Sequence, residues 1–240
     1  MQLKNLIPSL LTCLNLLCGC IAVVLAFHNN LVWAAYFVFA AGVFDLFDGL
    51  AARALQAYSE FGKQLDSLAD MVSFGLVPGV VMFKIFQWPF NGLLEGGGVL
   101  ATLLMYYPFL ITVFSALRLA KFNIDARQTE SFIGLNTPTN TILVVSLPLI
   151  IQSGPAAFSD IILNPYTLIV LIALQSWLLV AEIPMFSFKM KSLKWKGNEV
   201  RYIFLASSIL LLVFFLFAAI PLIIFFYVLL SFLISKRKTT

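Results

Sequence analysis

The chain has 240 residues, 61% of them hydrophobic and only 11% charged, with a mean hydropathy of +0.99 and a formal net charge of +4. So few charges cannot clothe a soluble globule of this length, which leaves an all-α, polytopic integral membrane protein. No polar stretch is long enough for a second soluble domain, and no nucleic-acid partner is expected.

A bilayer asks for roughly 17–25 apolar residues per helix. Runs of that kind predict helices at 6–27, 31–54, 66–86, 98–120, 138–154, 163–183, 202–218 and 220–236. The first run reads as a full span rather than a cleaved leader, because no small-residue cleavage site comes after it. It holds all three cysteines, Cys13, Cys18 and Cys20, which have no ligand partners nearby and read as small lipid- or protein-facing residues. Its Thr12 and Asn15 could either hydrogen-bond a neighbouring helix or meet a nucleotide.

The second and third runs meet at the most informative segment. Asp45, Asp48, Asp66 and Asp70 fall within 26 residues of a chain that has 11 acidic residues in all. Ionised groups in apolar runs are expensive and mark function by default. The i,i+3 pair Asp45/Asp48 and the i,i+4 pair Asp66/Asp70 each line one helix face. Carboxylates converging from two helices suit one or two hard divalent cations, Mg2+ or Mn2+. Gly49, Ala52 and Gly62 remove bulk beside them, and Arg53 offers a bidentate cation suited to phosphate. Together they point to a diphosphate held by metal at the membrane surface.

Further along, Arg118 and Lys121 end a span, where they either snorkel or bind an anionic acceptor. Asn123 comes next as a helix cap or an acceptor contact. Glu182 is expected to be balanced by the lysines after it. The last run, Tyr202 to Ser235, is long for one straight helix and short for two; Ala218 to Pro221 marks the expected turn of a hairpin, giving eight spans, or seven if the run is a single helix. In that arrangement every Lys and Arg except Lys84 falls on one side. The positive-inside rule then puts both termini and the aspartate hairpin in the cytoplasm, at the inner or cytoplasmic membrane. The basic stretch from Lys189 to Arg201 reads as a topology signal or as a seat for anionic headgroups, at about 1 kcal/mol per charge.

The pattern D-x2-D-G-x2-A-R-x8-G-x3-D-x3-D, complete from Asp45 to Asp70, resembles the signature of the CDP-alcohol phosphotransferases. The segment from Ile7 to Gly19 is similar to the first helix of the membrane-bound phosphatidylserine synthase branch of that superfamily. So are Ser59 to Gly75, Arg118 to Asn123 with Phe132 to Pro138, and Ile183-Pro184 with Ser187 and Lys189. The chain departs from the usual pattern at Ser9, Lys121 and Asn136, where Asn, Arg and Pro are common.

The resemblance implies a six-helix catalytic core over 1–190 plus a C-terminal transmembrane hairpin over 191–240, assembled as a homodimer. It implies a metal cluster of Asp45, Asp48, Asp66 and Asp70, with Asp70 as general base. Asp48, Gly49, Ala52, Arg53 and Gly62, with Thr12 and Asn15, would meet the CDP-lipid. Ser67, Ser73, Arg118, Lys121 and Asn123 would face the acceptor. The implied reaction transfers phosphatidyl from CDP-diacylglycerol to L-serine and releases CMP. Rivals are another acceptor (glycerol 3-phosphate or inositol phosphate), an ether-lipid donor, and, from a different class, an ion-coupled transporter. The transporter reading would put the acids near the midplane on broken helices, whereas here they crowd one end.

The topology is testable. A single cysteine at Ser59, in a cysteine-free background, is expected to resist a membrane-impermeant maleimide in intact cells, while one at Asn91 is labelled. The opposite pattern would invert the arrangement.

Overall fold

A computed structural model describes residues 3–90, 98–125, 133–185, 195 and 198–239. Arg127, Phe132, Asn91-Gly92, Ser187 and the basic Lys189, Lys191, Lys194 and Lys196 lie outside the described residues, as do the side chains of Lys236, Arg237 and Lys238. The order is α1 (Leu3–Phe27), α2 (Leu31–Ala54), α3 (Glu60–Asp70), a π-helical turn (Met71–Leu76), α4 (Val77–Phe90), α5 (Gly98–Leu104), a 3-10 turn (Tyr107–Phe109) and α6 (Leu110–Ile124). Then come α7 (Thr137–Ser153), α8 (Ala156–Ile162), α9 (Pro165–Val180), α10 (Glu199–Phe215), a 3-10 turn (Leu216–Ala218) and α11 (Ala219–Thr239). The protein is an all-α polytopic membrane protein. Among the described residues, five helical runs are long and apolar enough to cross a bilayer, six with the bent pair α8–α9, whose halves meet at 67°. Helix α7, with 17 residues, sits at the short end of span length.

The final 36-residue run, Glu199–Ile234, would extend about 54 Å as one rod, well beyond a core of about 30 Å. It folds back instead. Leu216 takes a left-handed φ of 48°, and the rings of Phe204 and Tyr227 meet at 6.1 Å across the two arms. The turn comes slightly before the Ala218–Pro221 position read from the sequence. Pro221 lies in the first turn of α11, where its missing N–H has no intrahelical partner to lose.

Small residues set the tightest seam. Ala22 and Ala26 of α1 and Ala34, Ala35 and Ala41 of α2 are fully buried and let the two helices close on each other. The core then continues through Val77, Val81, Met82, Ile85 and Phe86 of α4 to Val144 and Val145 of α7 and Leu168 and Ile172 of α9. Leucines 10, 14 and 17 and many phenylalanines stay exposed on the outside, as lipid-facing side chains do.

Where the sequence predicts one straight helix over 66–86, the helix starts earlier, at Glu60, and is interrupted by the π turn directly after Asp70. The predicted 98–120 helix is likewise broken, at the 3-10 turn that holds Pro108. The predicted 163–183 helix stops at Val180. Beyond it Pro184 pairs with Ile133 in a single antiparallel bridge, and Gly134 N–H donates to Ile183 O at 2.9 Å. Gly134 has φ +78°, and a side chain there would press on the carbonyl oxygens of Leu179 and Ala181 at 2.9 Å. This clasp delivers Asn136 to the start of α7, where its side chain caps Thr139 N–H at 3.0 Å. Asn thus replaces the usual Pro with a cap.

Candidate active site

The last turns of α2 carry Asp45, Asp48, Gly49 and Ala52. Helix α3 returns beside them after a short loop. Its start is fixed by Ser59, whose Oγ accepts from Gly62 N–H at 3.0 Å, and by Glu60 in the first turn. Asp66 and Asp70 then lie one turn apart on the side facing α2.

Ligand oxygens of Asp45, Asp48 and Asp66 all lie within 4.8 Å of one another. Asp70 stands just outside this trio, within hydrogen-bonding reach of Asp45. Among the described residues no Lys or Arg pairs with any of the four; the ion pair present joins Lys121 to Glu182. Two full charges at such a separation repel by roughly 3–4 kcal/mol at an effective dielectric constant of about 20. An arrangement of this kind needs a cation or shared protons, and three hard carboxylate donors in one small volume match the donor chemistry of Mg2+ or Mn2+.

Helix α1 braces the cluster. Thr12 Oγ1 lies 2.6 Å from Asp48 Oδ2 and 3.0 Å from the Pro8 carbonyl. Its one proton favours the shorter, charge-assisted contact. Asn15, fully buried, donates from Nδ2 to Asp70 Oδ1 at 3.2 Å. Ser73, also fully buried, donates to the Asn15 carbonyl at 3.0 Å. A Cβ at Gly19 would sit 2.5 Å from Ser73 Oγ, so glycine is what lets α1 approach the π turn this closely.

Two cavities flank the acids. One, of about 530 Å³, is lined by Thr12, Asp48, Gly49, Ala52, Gly62, Lys63 and Asp66, and by Asn5, Pro8, Ser9 and Ala57 to Glu60. A Cβ at Gly49 would meet nothing nearer than Arg53 Nη2 at 3.9 Å, so this wall is open to a ligand. The second, of about 340 Å³, is lined by Asp45, Asp66, Asp70, Lys63, Ser67, Arg118 and Asn123, and by Asn136 to Pro138 at the head of α7. Asp66 and Lys63 line both. Arg118 is buried, with its Nε unpartnered and its guanidinium 5.4 Å from the Phe122 ring; among the described residues it has no carboxylate at ion-pair distance.

The sequence-predicted residues divide accordingly. Thr12, Asp48, Gly49, Ala52 and Gly62 share the larger cavity, and Ser67, Arg118 and Asn123 the smaller. Asn123 Nδ2 donates to Ser67 Oγ at 2.9 Å and so ties α6 to α3 rather than capping its own helix. Arg53 is exposed beside Gly49 and outside the larger cavity's wall. Asn15 and Ser73 sit behind the acids, in neither cavity. Lys121 points away to Glu182 at 2.9 Å, which also means that Glu182 finds a partner on α6 rather than only in the lysines after it. Sequence reading gave Lys63 no role at the site, although its place one turn before Asp66 and Ser67 was a signal. It also passed over Pro78, which bears on the π turn.

Residues 5–188 match the CDP-alcohol phosphatidyltransferase family, and the chain belongs to that family. It is 32% identical over 167 residues to the CDP-diacylglycerol–serine O-phosphatidyltransferase of Bacillus subtilis (strain 168), covering 67% of this chain and 88% of that one. It is 34% identical to the protein of the same name from Helicobacter pylori (strain J99), over 58% of this chain and 56% of the relative. The enzyme of that name from Methanocaldococcus jannaschii is 29% identical over 61% of this chain and 62% of its own. The match thus spans most of the Bacillus protein but under two thirds of the other two.

Asp66 stands in the trio and in both cavities, so it is the sharpest probe of the cluster. Asp66→Asn keeps the shape and removes the charge. Mn2+ binding, followed by electron paramagnetic resonance, is expected to weaken at least about 100-fold, the upper end of the roughly 10–100-fold seen for outer-shell changes. Unchanged binding would mean that the acids do not form a cation site.

Proposed function

We propose that this chain transfers the phosphatidyl group of CDP-diacylglycerol to the hydroxyl of L-serine, releasing CMP and forming phosphatidylserine. The observation that carries the reading is the pair of cavities that share Asp66: a larger one with small-residue walls for the CDP moiety, and a smaller one with a buried cation for a small anionic acceptor. The names of the relatives point the same way. Asp45, Asp48 and Asp66 would hold Mg2+ or Mn2+, which when bound would supply positive charge for the donor's diphosphate.

The remaining chemistry belongs to the chain's own residues. The diphosphate enters beside Gly49, Ala52 and Gly62, with Arg53 and Lys63 as the nearby cations. The serine carboxylate pairs with Arg118, which relieves the cost of a buried guanidinium without an anion. Serine's neutral hydroxyl is a weak nucleophile and needs a base. Asp70 lines only the acceptor cavity and is oriented by Asn15, so it takes the hydroxyl proton. The serine oxygen bonds to the lipid-side phosphorus as the bond from that phosphorus to the CMP oxygen breaks. With Asp70 placed to take the proton of the acceptor hydroxyl, no covalent intermediate on the protein is required, and transfer is direct.

A phosphorylated acceptor would need more positive charge. The smaller cavity offers Arg118 and Lys63, and Lys121 is paired outside it, which favours an acceptor with one carboxylate. The same reading takes 1–190 as the catalytic core and 191–240 as an added hairpin, places the site and both termini on the cytoplasmic side, and takes the working form as a homodimer.

The test is CMP release by purified protein given CDP-diacylglycerol, Mg2+ or Mn2+ and a panel of acceptors. Serine should support turnover; release with glycerol 3-phosphate or inositol phosphate and none with serine would overturn the acceptor. Arg118→Gln should raise the serine KM roughly 10-fold or more, the size of a lost charged hydrogen bond, with little change for the CDP-lipid. Asp70→Asn should cut kcat by roughly 10²–10⁴-fold while CDP-lipid binding persists.

A further inference from the structure

The helix that carries Asp66 and Asp70 has a register problem. Continued as a straight α-helix, Asp66 and Asp70 would share one stripe with Val77, Val81 and Ile85, at steps of four, seven, four and four. Yet the three apolar residues are fully buried in the core, while the two acids face the cavities. The π turn Met71–Leu76 separates the two stripes. Its wider spacing is visible where Val77 N–H bonds back five residues to Val72 O. One extra residue in the turn rotates the helix beyond it by about 100°.

Pro78 explains why the turn falls there. In an α-helix its N–H would serve the Phe74 carbonyl, but proline has none, and its ring crowds that same carbonyl. A helix from elsewhere in the fold supplies the missing donor. Thr141 of α7, fully buried, places Oγ1 2.7 Å from Phe74 O. The same oxygen is 2.9 Å from Thr137 O, the ordinary back-contact within its own helix. One proton serves one of them, and the Phe74 carbonyl is the one whose α-helical donor is absent. The π turn also carries Ser73, whose hydroxyl holds the Asn15 carbonyl while the Asn15 amide holds Asp70.

We propose that Thr141 and Pro78 act together as the register lock of the aspartate helix. Pro78 forbids the α-helical bond, Thr141 satisfies the carbonyl left over, and the π turn so fixed points Asp66 and Asp70 at the cavities. Thr141 is a positioning residue that touches neither substrate. This rests on the reading of the acids as a divalent-cation site, and the test keeps the two apart.

The measurement is Mn2+ affinity by electron paramagnetic resonance on full-length protein in nanodiscs, with the melting temperature recorded beside it. Thr141→Val removes the hydroxyl at nearly constant volume and should weaken Mn2+ binding about 10-fold or more, within the range for outer-shell contacts. Thr141→Ser should restore it to near the wild-type value. The double variant Pro78→Ala with Thr141→Val regains a backbone donor for Phe74 O and lets the turn close to α-helix. It should therefore melt above Thr141→Val yet still bind Mn2+ weakly, because the acids have rotated away. A purely structural role predicts that stability and Mn2+ affinity recover together. That outcome, wild-type affinity in Thr141→Val, or a double variant that does not fold would each overturn the lock. Asp66→Asn is the control: if it binds Mn2+ as the wild type does, the cation site fails and not the lock.

Discussion

Four carboxylates from two helices crowd one end of an apolar bundle, and the rest of the structure can be understood as the means of keeping them there. The closest three have ligand oxygens within 4.8 Å of one another, and among the described residues no Lys or Arg lies at ion-pair distance from them. Neutral donors do the holding instead: Thr12 on Asp48, Asn15 on Asp70, and Ser73 behind Asn15. Such contacts fix direction without cancelling charge, which leaves the cluster's demand for a cation intact. A salt bridge in the same place would have satisfied the acids and removed their use.

The brace works because α1 can come close. Gly19 gives way to Ser73, and the alanines of the α1–α2 seam let both helices run side by side into the site. In a bilayer, where apolar side chains gain little by leaving lipid, close packing of small residues and interhelical hydrogen bonds carry the association. The same economy shapes the two cavities. Gly49, Ala52 and Gly62 open the larger, while Arg118, Ser67 and Asn123 give the smaller its polarity. Asp48 faces only the larger, Asp45 and Asp70 only the smaller, and Asp66 both, so the acids form the partition across which a group would pass.

Much of this was legible in the sequence because it depends on local spacing. Span positions came from runs of apolar residues, and the aspartate faces from i,i+3 and i,i+4 steps. The final hairpin came from a run too long for the membrane. The family came from a complete eight-position signature. What the sequence hid depends on contacts between distant segments. Thr12 and Asn15 could have faced a nucleotide or a neighbouring helix; the fold turns them onto acids 36 and 55 residues away. Ser73 and Lys121 looked like acceptor residues from their place in the pattern, but one lies behind the cluster and the other pairs with Glu182. The π turn was hidden for a different reason: spacing alone puts the acids and the core valines on one stripe, and only Pro78 hints that the helix cannot stay regular.

In the proposed reaction two substrates meet across the acids with no covalent stop on the protein, and stereochemistry at the transferred phosphorus tests this most directly. A CDP-lipid made chiral by sulfur and oxygen-isotope substitution at the lipid-side phosphorus would be turned over with serine and the product's configuration determined. A single direct displacement predicts inversion. Retention of configuration, or a phosphatidyl group trapped on the protein, would contradict direct transfer and require a two-step covalent route.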